Sequence, residues 1–155
     1  MPNIFKTFAE VINFAVMREE EAYKFYIGLS GKTKDLFMQE LFADFAEEEL
    51  KHKKILKNLD AHGLERIYGN FTQNMNKLHV AQALEDLIPS PDMDFKELLI
   101  IAMKREEKSQ HLYSFLAEIS DDNDVSVLFV GLAKEEEKHK FRIEKTYKQL
   151  YKDMP

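Results

Sequence analysis

Apolar residues recur in steps of three and four along nearly the whole chain, the period of a helix with one buried face. The first run covers about residues 3–29, with a stripe of Phe8, Ile12, Ala15, Glu19, Ala22, Tyr26 and Leu29, and it stops at Ser30-Gly31. Thr33 is placed to cap a second run reaching about His62, whose stripe is Met38, Phe42, Phe45, Glu49, His52, Leu56 and Leu59; Gly63 ends it. A third run starts near Asp94, where Asp94 and Glu97 resemble a capping box, and carries Phe95, Leu98, Ala102, Glu106, Ser109, Tyr113 and Leu116. After a polar turn at Ser120 to Asp124, a fourth run to about Tyr151 carries Val125, Phe129, Leu132, Glu136, His139, Ile143, Tyr147 and Leu150.

The two short turns predict two antiparallel helix hairpins, residues 3–62 and 94–151. Between them, residues 63–93 hold a turn at Tyr68-Gly69-Asn70, a short helix over Lys77 to Ile88, and the breakers Pro89 and Pro91. A helix of 27 residues is about 40 Å long, and thirty residues can span that even when partly coiled. The fold class expected is therefore all-α: a four-helix bundle in a single domain over 1–155, with one long crossover between the second and third helices.

Composition narrows the function. The absence of cysteine removes disulfides, thiolate metal sites and cysteine nucleophiles together, and fits a reducing compartment, here taken as the cytoplasm. The net charge is −6, and the basic residues alternate with acidic ones, so no nucleic-acid partner is expected. No stretch is long and apolar enough for a membrane span, and Glu10 interrupts the N-terminal apolar run before it could serve as a secretory signal.

An offset of 87 brings the second half onto the first. Arg18-Glu19-Glu20 aligns with Arg105-Glu106-Glu107, Tyr26 with Tyr113, Leu41-Phe42 with Leu128-Phe129, Glu48-Glu49 with Glu135-Glu136, and Lys51-His52-Lys53 with Lys138-His139-Lys140. One helix pair used twice, packed with approximate two-fold symmetry, is the expected result.

Each stripe has a carboxylate where an apolar residue belongs: Glu19, Glu49, Glu106 and Glu136. His52 and His139 follow Glu49 and Glu136 by three residues, so each Glu-x-x-His pair faces one spot. Four buried carboxylates facing each other are very unfavourable unless they are protonated, paired with cationic side chains, or bound to metal. The stripes hold no Lys or Arg, and two divalent ions at +4 would cancel four carboxylates at −4. Oxygen donors with two imidazoles suit iron or manganese, and zinc less specifically. The neighbours Glu20, Glu48 and Glu135 are expected to be exposed.

Other positions are weaker candidates. Tyr26 and Tyr113 lie two turns beyond Glu19 and Glu106 on the same face, where they either hydrogen-bond a ligand carboxylate or simply fill the core. His111 points off its stripe and should be exposed; His62 and His79 lack a Glu-x-x-His partner. Ile4, Phe5 and Leu99 are candidates for an exposed dimer face.

Taken together, Arg18-Glu19-Glu20-Glu21-Ala22 with Tyr26, Phe45-Ala46-Glu47-Glu48-Glu49-Leu50-Lys51-His52, Arg105-Glu106-Glu107 with Tyr113, and Leu132-Ala133-Lys134-Glu135-Glu136-Glu137-Lys138-His139 resemble the rubrerythrin-like branch of the ferritin-like superfamily. That resemblance implies a non-haem di-iron centre that reacts with peroxide or dioxygen, fed by an external electron donor of the rubredoxin type. It implies Glu49 and Glu136 as bridging ligands, with Glu19 and His52 completing one iron and Glu106 and His139 the other. The chain departs from such proteins in having no cysteines for a rubredoxin domain and in carrying Ser109 where they carry a further glutamate. A fifth helix like that of cage-forming ferritins is not expected. The functional readings are a di-iron oxidoreductase, a ferroxidase or iron-sequestering protein without turnover, and a metal-free helical interaction module; a homodimer is the expected assembly.

Overall fold

In the computed structural model, residues 7–59, 89–120 and 122–151 are described. They form four helices, α1 (Phe8–Gly31), α2 (Leu36–Lys57), α3 (Phe95–Ile119) and α4 (Asn123–Tyr151). No strand occurs among them, so the fold is all-α, consistent with a ferritin-like four-helix bundle. The crossover up to residue 88, including the Lys77 to Ile88 helix, the Tyr68-Gly69-Asn70 turn, His62 and His79, lies outside the described residues, as do Ile4 and Phe5.

Each helix start follows from a side chain that accepts an otherwise unused backbone N–H. Thr7 and Glu10 form a reciprocal capping box on α1. Asp94 accepts from the Glu97 N–H at 2.9 Å to start α3, and Asp122 accepts from Val125 at 3.0 Å to start α4. The α2 cap differs from the sequence expectation. It is Asp35, which accepts from the Met38 N–H at 3.0 Å, whereas Thr33 sits in the preceding turn and accepts from the Asp35 N–H at 3.2 Å. Asp35 is the residue next to the first helical position, so only its side chain reaches the open N–H groups of the first turn. α2 ends at Lys57 with Asn58 as its cap, short of the expected His62.

Within the first hairpin, α1 and α2 run antiparallel. Near the turn, the Ser30 hydroxyl donates to the Gln39 carbonyl at 2.8 Å; further along, Lys53 donates to Glu20 at 2.8 Å. The interior stacks Tyr26 on Phe42, with centroids 6.2 Å apart and planes within 4°, and sets both rings edge-on to Phe45. Phe42, Phe45, Leu29 and Leu56 are buried, each stabilising the hairpin by about 1.5–3 kcal/mol relative to exposure.

The second hairpin, taken by itself, repeats several of these contacts at the 87-residue offset, with Leu132 in the place of Phe45. Tyr113 stacks on Phe129 with centroids again 6.2 Å apart. The turn contact recurs with the donor on the other helix: the Ser126 hydroxyl donates to the Ala117 carbonyl at 3.0 Å. Leu99 is fully buried rather than exposed. α3 buries a broader face than a single stripe, from Leu98 and Leu99 through Ile101, Ala102 and Met103, so Leu99 is core and not part of a dimer surface. At the far end of α4, Leu150 is exposed although its position continues the stripe.

Candidate metal centre

Six polar side chains sit in the buried stripes where the 3.6-residue period puts them. Glu19, Glu49 and His52 in the first hairpin, and Glu106, Glu136 and His139 in the second, are each no more than 5% exposed. Their helices hold them there through flanking core residues: Ala15 and Tyr26 around Glu19, Phe45 and Leu56 around Glu49 and His52, Ala102 and Tyr113 around Glu106, and Leu132 and Ile143 around Glu136 and His139.

Each hairpin brings its own three ligand atoms together. In the first, His52 Nδ1 lies 3.7 Å from Glu19 Oε1 and 3.5 Å from Glu49 Oε1. In the second, His139 Nδ1 lies 3.4 Å from Glu106 Oε1. The donor atoms of Glu19, Glu49 and His52 fall within 4.8 Å of one another, and so do those of Glu106, Glu136 and His139. Separations of 3.4–3.7 Å are long for hydrogen bonds. They are near the spacing of about 3.0–3.4 Å between neighbouring ligands around an ion with bonds of about 2.1 Å. Two carboxylate oxygens and an imidazole nitrogen form a mixed, rather hard donor set, matched to iron, manganese or zinc and unsuited to calcium or to soft copper(I).

The surroundings also repeat. Lys53 holds Glu20 at 2.8 Å, and Lys140 faces Glu107 at 3.5 Å. The hydrogen bond from Lys53 lowers the Glu20 carboxyl below its usual 4.5. Glu20, Glu48 and Glu135 are half-buried rather than exposed, because one residue to either side of a stripe position is a rotation of only about 100°. His111 is exposed, as its phase requires. Arg18 and Arg105 are buried beside Glu19 and Glu106. Arg18 lies over the Phe14 ring at 5.9 Å and 3.8 Å from Glu21. The repeated Arg-Glu-Glu triplet was the available signal for these arginines, masked by the usual exposure of arginine.

The Rubrerythrin family profile matches residues 10–87 and 97–155, covering most of both hairpins. The chain belongs to the rubrerythrin family. No match was found among the curated proteins or the solved structures compared. Rubrerythrin membership implies iron binding, and the buried Glu/His groups are chemically fitted to it. As in the sequence, no helix among the described residues is long and apolar enough to cross a membrane.

Proposed function

We propose that this rubrerythrin-family chain holds two iron ions, one on Glu19, Glu49 and His52 and one on Glu106, Glu136 and His139. It would act in the cytoplasm as an oxidoreductase that reduces peroxide or dioxygen with electrons from an external donor. The observation that carries this reading is the pair of equivalent buried triads, with His Nδ1 3.4–3.7 Å from carboxylate oxygens. Bound iron supplies a one-electron couple and an open position for a small oxidant. The protein's own residues set its surroundings. The carboxylates balance the positive charge, the imidazoles fix the orientation of the donors, and the aromatic groups around Tyr26 and Tyr113 keep bulk water away. The two tyrosines, buried on the same helix faces as Glu19 and Glu106, are proposed as partners that orient the ligand carboxylates.

The test is iron analysis of the wild type against Glu19→Ala/His52→Ala and Glu106→Ala/His139→Ala. Each double variant should keep one of two irons; two irons in both variants, or none in the wild type, overturns the assignment. Anaerobic loading followed by peroxide then separates the activities. Repeated turnover with a reduced donor supports the oxidoreductase, whereas one oxidation with retained ferric iron identifies sequestration.

A further inference from the structure

α4 carries a second organised face besides the one with the ligands. Lys134, Lys138, Phe141, Lys145 and Lys148 follow each other in steps of four and three, which places them within an arc of about 80° on the helix. All five are exposed, and Phe141 is 67% open. The arc is opposite the buried face of Glu136, His139, Ile143 and Tyr147. None of the four lysines forms an ion pair among the described residues. The two acids bordering the arc are engaged elsewhere: Glu137 accepts from Gln110 at 3.1 Å, and Glu144 faces Lys140 at 3.8 Å.

In a chain of net charge −6, four uncompensated lysines around an exposed aromatic ring are a local reversal of sign. Lysines one turn apart repel each other, so the arrangement does not serve helix stability. It matches what a transient protein contact uses: a central aromatic group that loses water on docking and a charged rim that steers and orients the partner. The same helix carries Glu136 and His139 on its other side, about one helix diameter, or 10–12 Å, away.

We propose that this face of α4 docks a small acidic electron-carrier protein that supplies electrons to the iron. The proposal rests on the redox reading above. Each productive encounter oxidises the carrier by one electron and reduces one ferric ion to ferrous, with no bond made or broken.

The test uses the full chain and an acidic rubredoxin as the probe. Binding to immobilised rubredoxin is read with or without iron in the chain, and oxidation of reduced rubredoxin by the ferric-loaded chain is followed by stopped flow. The variants are Lys134→Glu/Lys145→Glu/Lys148→Glu and Phe141→Ser, with Lys34→Glu in the other hairpin as control. The triple reversal should weaken binding and slow electron transfer by about tenfold or more at low salt and flatten the salt dependence. Phe141→Ser should weaken binding at all salt concentrations, and Lys34→Glu should match the wild type. Iron content and melting temperature should stay constant throughout. Variants that bind and react like the wild type overturn the proposal. So does loss of self-association, or of binding to phosphatidylserine vesicles, in the triple variant with rubredoxin binding unmoved, since either assigns the face to another occupant. Rubredoxin binding that depends on the lysines but gives no electron transfer in the wild type refutes the iron reading and leaves the docking face standing.

Discussion

Replacing Glu136 by leucine should change stability in opposite directions with and without iron. Glu106 and Glu136 offer oxygens within 4.8 Å of each other, both from fully buried side chains. Two unit charges at that distance repel by roughly 3.5 kcal/mol at an effective dielectric of 20. Leucine removes that repulsion along with the cost of keeping one charge out of water, while losing the contacts Glu136 makes. Replacing whole buried ionic groups by apolar residues of similar volume is often neutral or stabilising, by up to about 4 kcal/mol, and here the charge removed is one of two like charges, so the balance tips toward a gain. For a chain of this size, each kcal/mol moves the melting temperature by about 2–4 °C. In chelator, Glu136→Leu should therefore melt several degrees above the wild type. Under anaerobic ferrous iron the order should reverse, because a ligand at a thousand times its Kd stabilises the wild type by about 4.1 kcal/mol per site and the variant forfeits one site. Differential scanning calorimetry in both conditions gives the comparison. A variant that melts below the wild type in chelator, or gains as much from iron as the wild type does, would refute the view that this interior is held together by metal.

Three further outcomes follow from the packing. Asp35→Ala should cost about 0.5–2 kcal/mol in urea unfolding, as loss of an N-cap does, and Thr33→Ala should cost less. Leu99→Ala should cost about 2–5 kcal/mol as a core truncation; a neutral result would return Leu99 to the surface. Lys53 lowers the Glu20 carboxyl below its usual 4.5, so this tie between α1 and α2 is present above that value and is lost as pH falls through the lowered one. Lys53→Met should melt slightly below the wild type at neutral pH, and the gap should close on acidification; a gap that is constant with pH would show that the tie is not electrostatic.

Much of this was readable in advance because the site interrupts a strong period. A glutamate such as Glu136 stands out only against Leu132 and Ile143, and the second copy at Glu49 removes coincidence. The period was less informative where a helix buries more than one stripe: Leu99 lies a single residue past Leu98, and α3 buries both. The α2 cap differs for another reason, while the Asp94 cap of α3 is where it was expected. Thr33 and Asp35 both favour the position before a helix, and the choice depends on which one adjoins the first helical residue. Arg18 and Arg105 lie off the stripes, so the period does not mark them as interior, yet each lies inside next to a buried acid. The spacing of Lys134, Lys138, Phe141, Lys145 and Lys148 was present in the sequence too, but only burial shows which face of α4 is left outside.

The serine clasp beside each hairpin turn, Ser30 to the Gln39 carbonyl in one and Ser126 to the Ala117 carbonyl in the other, is one bridge built from opposite banks. Its acceptor is main chain, which every residue supplies, so the hydroxyl can change sides without losing its acceptor. Ser30→Ala combined with Gln39→Ser would give the first hairpin the clasp of the second, at the expense of the 2.8 Å bond that the Gln39 amide donates to the Thr33 carbonyl, and a chain assembled from two copies of either half should close its loops with a clasp at each turn.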